Sequence, residues 1–190
     1  MNSLLTEKTL QTEKCFDGRV FQVEVLTVEM PDGRPARREI VRHGGGACVV
    51  ALDENQRIYL VRQYRKPYDD VLLEIPAGKL ETGEEPAACA ARELAEETGL
   101  RAANMERLAV IYPSPGYCSE TLSIYLATGL VQGESCLDDG ENLHCQSYPL
   151  EEVLAMIDRG EIHDAKTLVA LLTISRRMGG SDSRAEGQVN

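Results

Sequence analysis

Between Val20 and Val28 the side chains alternate, with Phe21, Val23 and Val25 set against Val20, Gln22 and Glu24, the period of a strand with one covered face. Met30-Pro31-Asp32-Gly33 reads as a turn, and Ala36–Val41 as a returning strand, so a hairpin is expected. An isolated hairpin is marginal in water, and this one must pack on its own main domain or on a partner subunit. After His43-Gly44-Gly45-Gly46 come two apolar segments, Ala47–Leu52 and Ile58–Gln63, split by the polar turn Asp53-Glu54-Asn55. A short strand is expected at Val71–Ile75, a helix from Glu85 to Thr98, and strands at Leu108–Tyr112, Thr121–Thr128 and Leu143–Tyr148. A polar loop, 133–142, precedes the last strand, and helices at Leu150–Arg159 and Ala165–Arg177 follow it. The pattern predicts an α+β protein divided into a β appendage (residues 1–43), a main domain (44–178) and a flexible tail (179–190) rich in glycine, serine and charge.

The 190 residues suit one compact domain with a short appendage, and 43% hydrophobic with 27% charged residues is ordinary for a globular protein. A net charge of −11 argues against nucleic acid or an anionic membrane as the main partner, since both demand basic patches. It does not exclude an anionic small molecule, because carboxylates gathered round a divalent cation make a locally positive site. Six cysteines are scattered without a CxxC pair or a histidine at zinc-ligand spacing. With no apolar run of membrane-spanning length and no secretory signal pattern, reduced thiols and a cytoplasmic location are expected.

The chemistry concentrates in Gly78–Leu100, GKLETGEEPAACAARELAEETGL. Pro86 stands where a helix start tolerates proline, and Gly99 where a C-cap wants glycine. On a helical wheel Ala87, Ala91, Leu94 and Thr98 share the expected core face, and Glu93, Glu96 and Glu97 crowd on a different arc. Like charges at that spacing weaken a helix, and these sit near its C-terminus, where the helix dipole favours cations. A bound divalent cation removes the penalty and accepts the hard carboxylate oxygens as ligands.

Gly78, Glu84, Arg92-Glu93, Leu94, Glu96-Glu97 and Gly99-Leu100 fill every defined position of a motif that resembles the Nudix box. Outside the box, VRQYRKPYDDVLLEIPAGKLE, Tyr112-Pro113-Ser114-Pro115-Gly116 and GEIHDAKTLVALL resemble the ADP-ribose pyrophosphatase branch of that family. The resemblance implies an α/β/α sandwich with a mixed central sheet and Mg2+-dependent hydrolysis of a nucleotide sugar, with Mn2+ as an alternative metal. It implies that Glu93 and Glu97 ligate the metal with support from Glu96 and the carbonyl of Ala77. Glu84 and Arg92 then form a structural ion pair, with Gly78 and Gly99 serving the backbone. It also places Arg65 on a phosphate, Arg38 and Glu39 on the nucleotide, commonly from a partner subunit, and Ser114, Gly116 and Glu120 in a substrate-facing loop.

The branch takes its general base from an acidic loop, here Leu137-Asp138-Asp139-Gly140-Glu141. Where family members tend to carry two glutamates this chain has Asp139 and Glu141, so the base is one of the two, with Glu141 also a candidate ligand. The three histidines have no serine or cysteine arrangement that would support nucleophilic catalysis. The implied reaction is ADP-ribose to AMP and ribose 5-phosphate, with ADP-glucose or GDP-mannose as rival substrates. A non-catalytic ADP-ribose sensor fits less well because every box glutamate is kept, and an enzyme for oxidised nucleoside triphosphates is disfavoured by the hairpin and Pro115. A homodimer with exchanged N-terminal strands is the expected assembly.

Overall fold

The computed structural model describes residues 5–133 and 142–185, with residues 179–185 described through the backbone alone. Contacts divide the chain into two compact units, residues 1–45 with 112–121, and residues 46–111 with 122–190.

The first unit is built on an antiparallel sheet of β1 (Lys8–Asp17), β2 (Phe21–Glu29) and β3 (Pro35–His43), in the order β1-β2-β3. The hairpin predicted from alternation pairs Phe21 with His43 through to Glu29 with Pro35. Its turn closes through Met30, where Gly33 donates to the carbonyl at 2.8 Å with φ +82°, a conformation that suits glycine. Segment 112–121 joins this sheet: Val41 donates to the Tyr117 carbonyl at 2.8 Å and Ser119 donates to the Val41 carbonyl at 2.9 Å. β1 has no counterpart in the sequence reading, and all ten of its residues are exposed. With no buried face its residues carry no apolar period, so only pairing with β2 reveals it.

The second unit holds the elements β4 (Gly46–Ala51), β5 (Arg57–Arg65), β6 (Asp70–Glu74), β7 (Ala77–Lys79), α1 (Pro86–Thr98), β8 (Leu100–Ile111), β9 (Leu122–Gln132), β10 (Leu143–Pro149), α2 (Leu150–Asp158) and α3 (Ala165–Ala185). A mixed four-stranded sheet runs β7-β4-β9-β8, with β4 and β9 parallel and the other pairs antiparallel. A three-stranded antiparallel sheet runs β10-β5-β6.

β4 is buried along its whole length, which is why it reads as a continuous apolar run rather than an alternating one. Its two faces feed two cores. Cys48 and Val50 join Ile58, Leu60, Ile75, Ile124, Val153, Leu171 and Ile174 on the side of the second sheet, α2 and α3. Ala47, Val49 and Ala51 join Cys89, Ala90, Leu94, Leu100, Tyr125 and Ala127 on the side of α1. The mixed sheet thus lies in the middle of an α+β sandwich and presents α1 on one face. β8 starts at Leu100, well before the expected Leu108. Only Leu100 of its residues is fully buried, and a register shift between Arg107 and Ala109 interrupts its period. α3 continues to Ala185, past Gly179, where the sequence pattern fades.

Candidate active site

α1 begins with Pro86 in its first turn and stops at Gly99, which adopts φ 71° and returns its N–H to the Ala95 carbonyl at 2.9 Å. The helix face differs from the expected one. Ala87 and Ala91 are exposed, and the buried positions are Cys89, Ala90, Glu93, Leu94 and Glu97. Two glutamates therefore share the inward stripe with Leu94. Hydropathy alone assigns carboxylates to water, which is why the expected face and the buried one differ.

Glu93 and Glu97 are 6% and 3% exposed. Both lean on β7, the short strand that β4 holds through Ala47–Gly78 and Cys48–Ala77 pairing. Ala77 donates its N–H to Glu97 Oε2 at 3.2 Å. The Glu93 carboxylate lies so close to Gly78 that a Cβ there would sit 1.6 Å from Oε1, so only glycine leaves room.

Arg92 is the internal counter-ion. Its Nε and Nη2 donate to the two oxygens of Glu84 at 2.9 and 3.0 Å, and Nη1 donates to Glu93 Oε1 at 2.7 Å and Glu96 Oε2 at 2.9 Å. Nη2 also reaches the Lys79 carbonyl at 3.2 Å. The guanidinium beside Glu84, helped by the Glu81 N–H, holds that carboxyl down to about 2. One arginine thus fastens the loop before α1 to the helix and partly neutralises three carboxylates.

Among the described residues no three carboxylate, imidazole or thiol groups converge on one point, and Arg92 lies between Glu93 and Glu96. The donor set nevertheless fits a hard divalent cation. Buried carboxylate oxygens and strand backbone meet at the C-terminal turns of a helix with no basic residue in its last turn. Asp139 and Glu141 lie outside the described residues.

Arg65, at the end of β5, makes a two-pronged pair with Glu74 of β6, Nε to Oε1 at 2.7 Å and Nη2 to Oε2 at 2.8 Å. Glu74 is 2% exposed and also receives the Lys166 ammonium. Burial alone would raise the Glu74 carboxyl, but Arg65 and Lys166 outweigh it and hold the group below its usual range. Glu74, Asp164, Lys166 and Thr167 are functional candidates that stand out in the structure. Their signal in the sequence is a charge inside an apolar run, Glu74 between Leu73 and Ile75, and Lys166 ahead of Leu168–Leu172.

The remaining candidates belong to the first unit. Arg38 pairs with Glu7, Nε to Oε2 at 2.9 Å, while Glu39 is exposed and, as the next residue on β3, points to the opposite face. Ser114 accepts the Tyr117 and Cys118 N–H groups at 3.2 and 2.9 Å, which shapes a turn. Gly116 is exposed, with open space where a Cβ would stand. Glu120 lies 3.7 Å from His43 Nδ1. The structure therefore gathers Arg38, Glu39, Ser114, Gly116 and Glu120 in one unit. It gathers Arg65, Ala77, Gly78, Glu84, Arg92, Glu93, Glu96, Glu97 and Gly99 in the other.

A sandwich that lays one acidic helix on a mixed sheet, with box glutamates turned onto β7, defines a class, and the family model described as NUDIX domain matches residues 42–171. The chain belongs to the Nudix family. It is 43% identical over 173 residues to the methanol dehydrogenase activator of Bacillus methanolicus, covering 90% of this chain and 94% of that one. It is 40% identical over 169 residues to the ADP-ribose pyrophosphatase of Bacillus subtilis (strain 168), covering 88% and 91%. A crystal structure of an ADP compounds hydrolase superposes with a TM-score of 0.82 over 98% of each chain at 24% identity, and so shares the fold. The branch that the residues outside the box resemble is thus represented by name among the relatives.

Proposed function

We propose that this chain is a hydrolase of ADP-ribose, splitting its diphosphate with water into AMP and ribose 5-phosphate in the presence of Mg2+, with Mn2+ as an alternative. The reading rests first on one observation: Glu93 and Glu97 turn inward onto the Ala77–Gly78 backbone, where a merely solvated helix would point them outward. The name of the Bacillus subtilis relative supports ADP-ribose among the nucleotide sugars.

Glu93, Glu97, Glu96 and the Ala77 carbonyl would hold the cation, with Glu141 as a further ligand. When bound it neutralises charge that builds on the two phosphates. For the carboxylates to turn to an ion, Arg92 releases Glu93 and Glu96 and keeps Glu84. Arg65 donates to a phosphate oxygen through the guanidinium N–H groups that Glu74 leaves over. Asp139 or Glu141 takes a proton from the attacking water. The oxygen adds to one phosphorus, the bond from that phosphorus to the bridging oxygen breaks, and the departing phosphate keeps the electron pair.

Residues 1–43 serve dimerisation and substrate lining, and 44–178 form the hydrolytic domain. Arg38, Glu39, Ser114, Gly116 and Glu120 hold the nucleoside in a homodimer with exchanged N-terminal strands. Support comes from the half-exposed apolar side chains of β1, Leu10 and Phe16, and from neighbours on one strand that face opposite ways. A cytoplasmic location suits the free thiols Cys15, Cys48, Cys89, Cys118 and Cys145, and an acidic chain suits a small substrate better than nucleic acid.

The test is a screen of ADP-ribose, ADP-glucose and GDP-mannose with Mg2+, reading phosphate after phosphatase treatment of the monoester products. ADP-ribose should be cleaved fastest, and equal rates across the panel would remove the substrate assignment. The name of the Bacillus methanolicus relative favours a second reading, activation of a methanol dehydrogenase. Methanol oxidation assayed with and without this chain decides it.

A further inference from the structure

Four side chains outside the box, Arg65, Glu74, Lys166 and Asp164, form a linked ionic set. Lys166 Nζ donates to Glu74 Oε2 and, at 2.9 Å, to Asp164 Oδ1. Lys166 and Glu74 are 8% and 2% exposed, whereas the Arg65 side chain is 36% exposed. The set is electrically balanced, two cations against two anions, with Glu74 and Lys166 buried at its middle and Arg65 at its more open end. Thr167 ties the same group to Ile75, in the link between β6 and β7. It donates its hydroxyl to Asp164 Oδ2 at 2.5 Å and accepts the Ile75 N–H at 2.9 Å. Asp164 in turn accepts the Thr167 N–H at 3.0 Å, capping α3 and fixing its own carboxylate.

A charge buried this deeply is costly, and a fold gains little from a buried ion pair over an apolar one of the same shape. What such a set does supply is a fixed direction. Glu74 alone would leave Arg65 free to swing with its carboxylate. With Lys166 on the same oxygen, the Glu74 carboxylate is pinned in place and the arginine fork that grips it takes one orientation.

We propose that Lys166, anchored by Asp164, is a positioning residue: through Glu74 it aims Arg65 at the diphosphate, while its anchor Asp164 is itself tied through Thr167 to Ile75, ahead of Ala77. This rests on the hydrolase reading above. Lys166 itself touches no substrate.

The test is a double-mutant cycle with Arg65→Ala and Lys166→Met, with Lys166→Arg alongside. Each folded variant is measured for kcat and KM on ADP-ribose, and for affinity toward inorganic pyrophosphate with Mg2+ by calorimetry. Lys166→Met should raise KM and weaken pyrophosphate binding about tenfold, the scale of a lost charged hydrogen bond. In the Arg65→Ala background the same change should alter either quantity by less than about twofold, because its route is already gone. Lys166→Arg should recover most of the loss. Wild-type KM and pyrophosphate affinity in Lys166→Met, with only a lower melting point, would overturn the proposal, as would effects that multiply in the double variant. If Lys166→Met does not fold, Asp164→Asn takes its place in the cycle, since it keeps the ammonium and removes one anchor. A wild type that leaves every nucleotide sugar intact defeats the hydrolase reading alone, and pyrophosphate affinity still judges Lys166.

Discussion

Placing a methyl group on Gly78 separates the fold from the proposed chemistry. A Cβ built there stands 1.6 Å from Glu93 Oε1 and 2.6 Å from Oε2. Non-bonded contact needs roughly 3.5 Å, so the carboxylate must retreat by about 2 Å. The obstructing atoms are the tip of a flexible side chain rather than backbone, and Gly78 does not lie at positive φ. The fold therefore yields at modest cost, about 1–3 kcal/mol for overpacking. The proposed metal ligand cannot yield so cheaply, because a displacement of this size at a reacting centre costs on the order of 10²-fold. Gly78→Ala should therefore remain folded by circular dichroism, lose at least about 10²-fold in kcat/KM for ADP-ribose, and need more Mg2+ for half-maximal rate. A folded Gly78→Ala protein with wild-type kcat/KM and an unchanged Mg2+ requirement would refute the assignment of Glu93 as a ligand.

Glu97→Gln keeps the shape of the side chain and removes the anion, so its rate in the nucleotide-sugar assay should fall by at least about 10²-fold, and retained activity would withdraw its ligand role. The Arg92 guanidinium holds Glu84 down to about 2 against an ordinary 4.5. A carboxyl depressed in the folded state stabilises the protein above its unfolded value, and that contribution is lost as pH falls through the folded one. Melting curves of wild type and Glu84→Gln should therefore stay a constant interval apart down to about pH 5 and converge toward pH 2; an interval still undiminished at pH 2 counts against the clamp. Light scattering should give twice the 20.9 kDa chain mass, and deletion of residues 1–17 should bring it to the monomer value. A full-length monomer would remove the exchanged-strand dimer.

How far the sequence could be read depended on whether a residue's burial followed its hydropathy. β4 and the central apolar residues of β5 and β9 were legible because they are buried, β10 because its polar and less exposed positions alternate, and α1 because Pro86 and Gly99 mark its ends. The box glutamates were legible as a cluster, since like charges so close together need a reason. Their direction was not, because Glu93 and Glu97 are buried while Ala87 and Ala91 are exposed. β1 left no trace because none of its faces is covered, and β7 is too short to show a period. The quartet of Arg65, Glu74, Asp164 and Lys166 joins residues distant in the chain, and pairing of that kind lies in no local window.

The parallel pairing of β4 with β9 joins Gly46–Ala51 to Leu122–Ala127, and the entire box lies between those strands in the chain. β7, which Glu93 and Glu97 need as their floor, is an edge strand that among the described strands pairs with β4 alone. The carboxylate cluster is therefore a product of high contact order, brought together only after a long loop has closed. A peptide cut to the motif would carry every letter of it and none of the geometry, so grafting this chemistry elsewhere means transplanting the central strand pair with it.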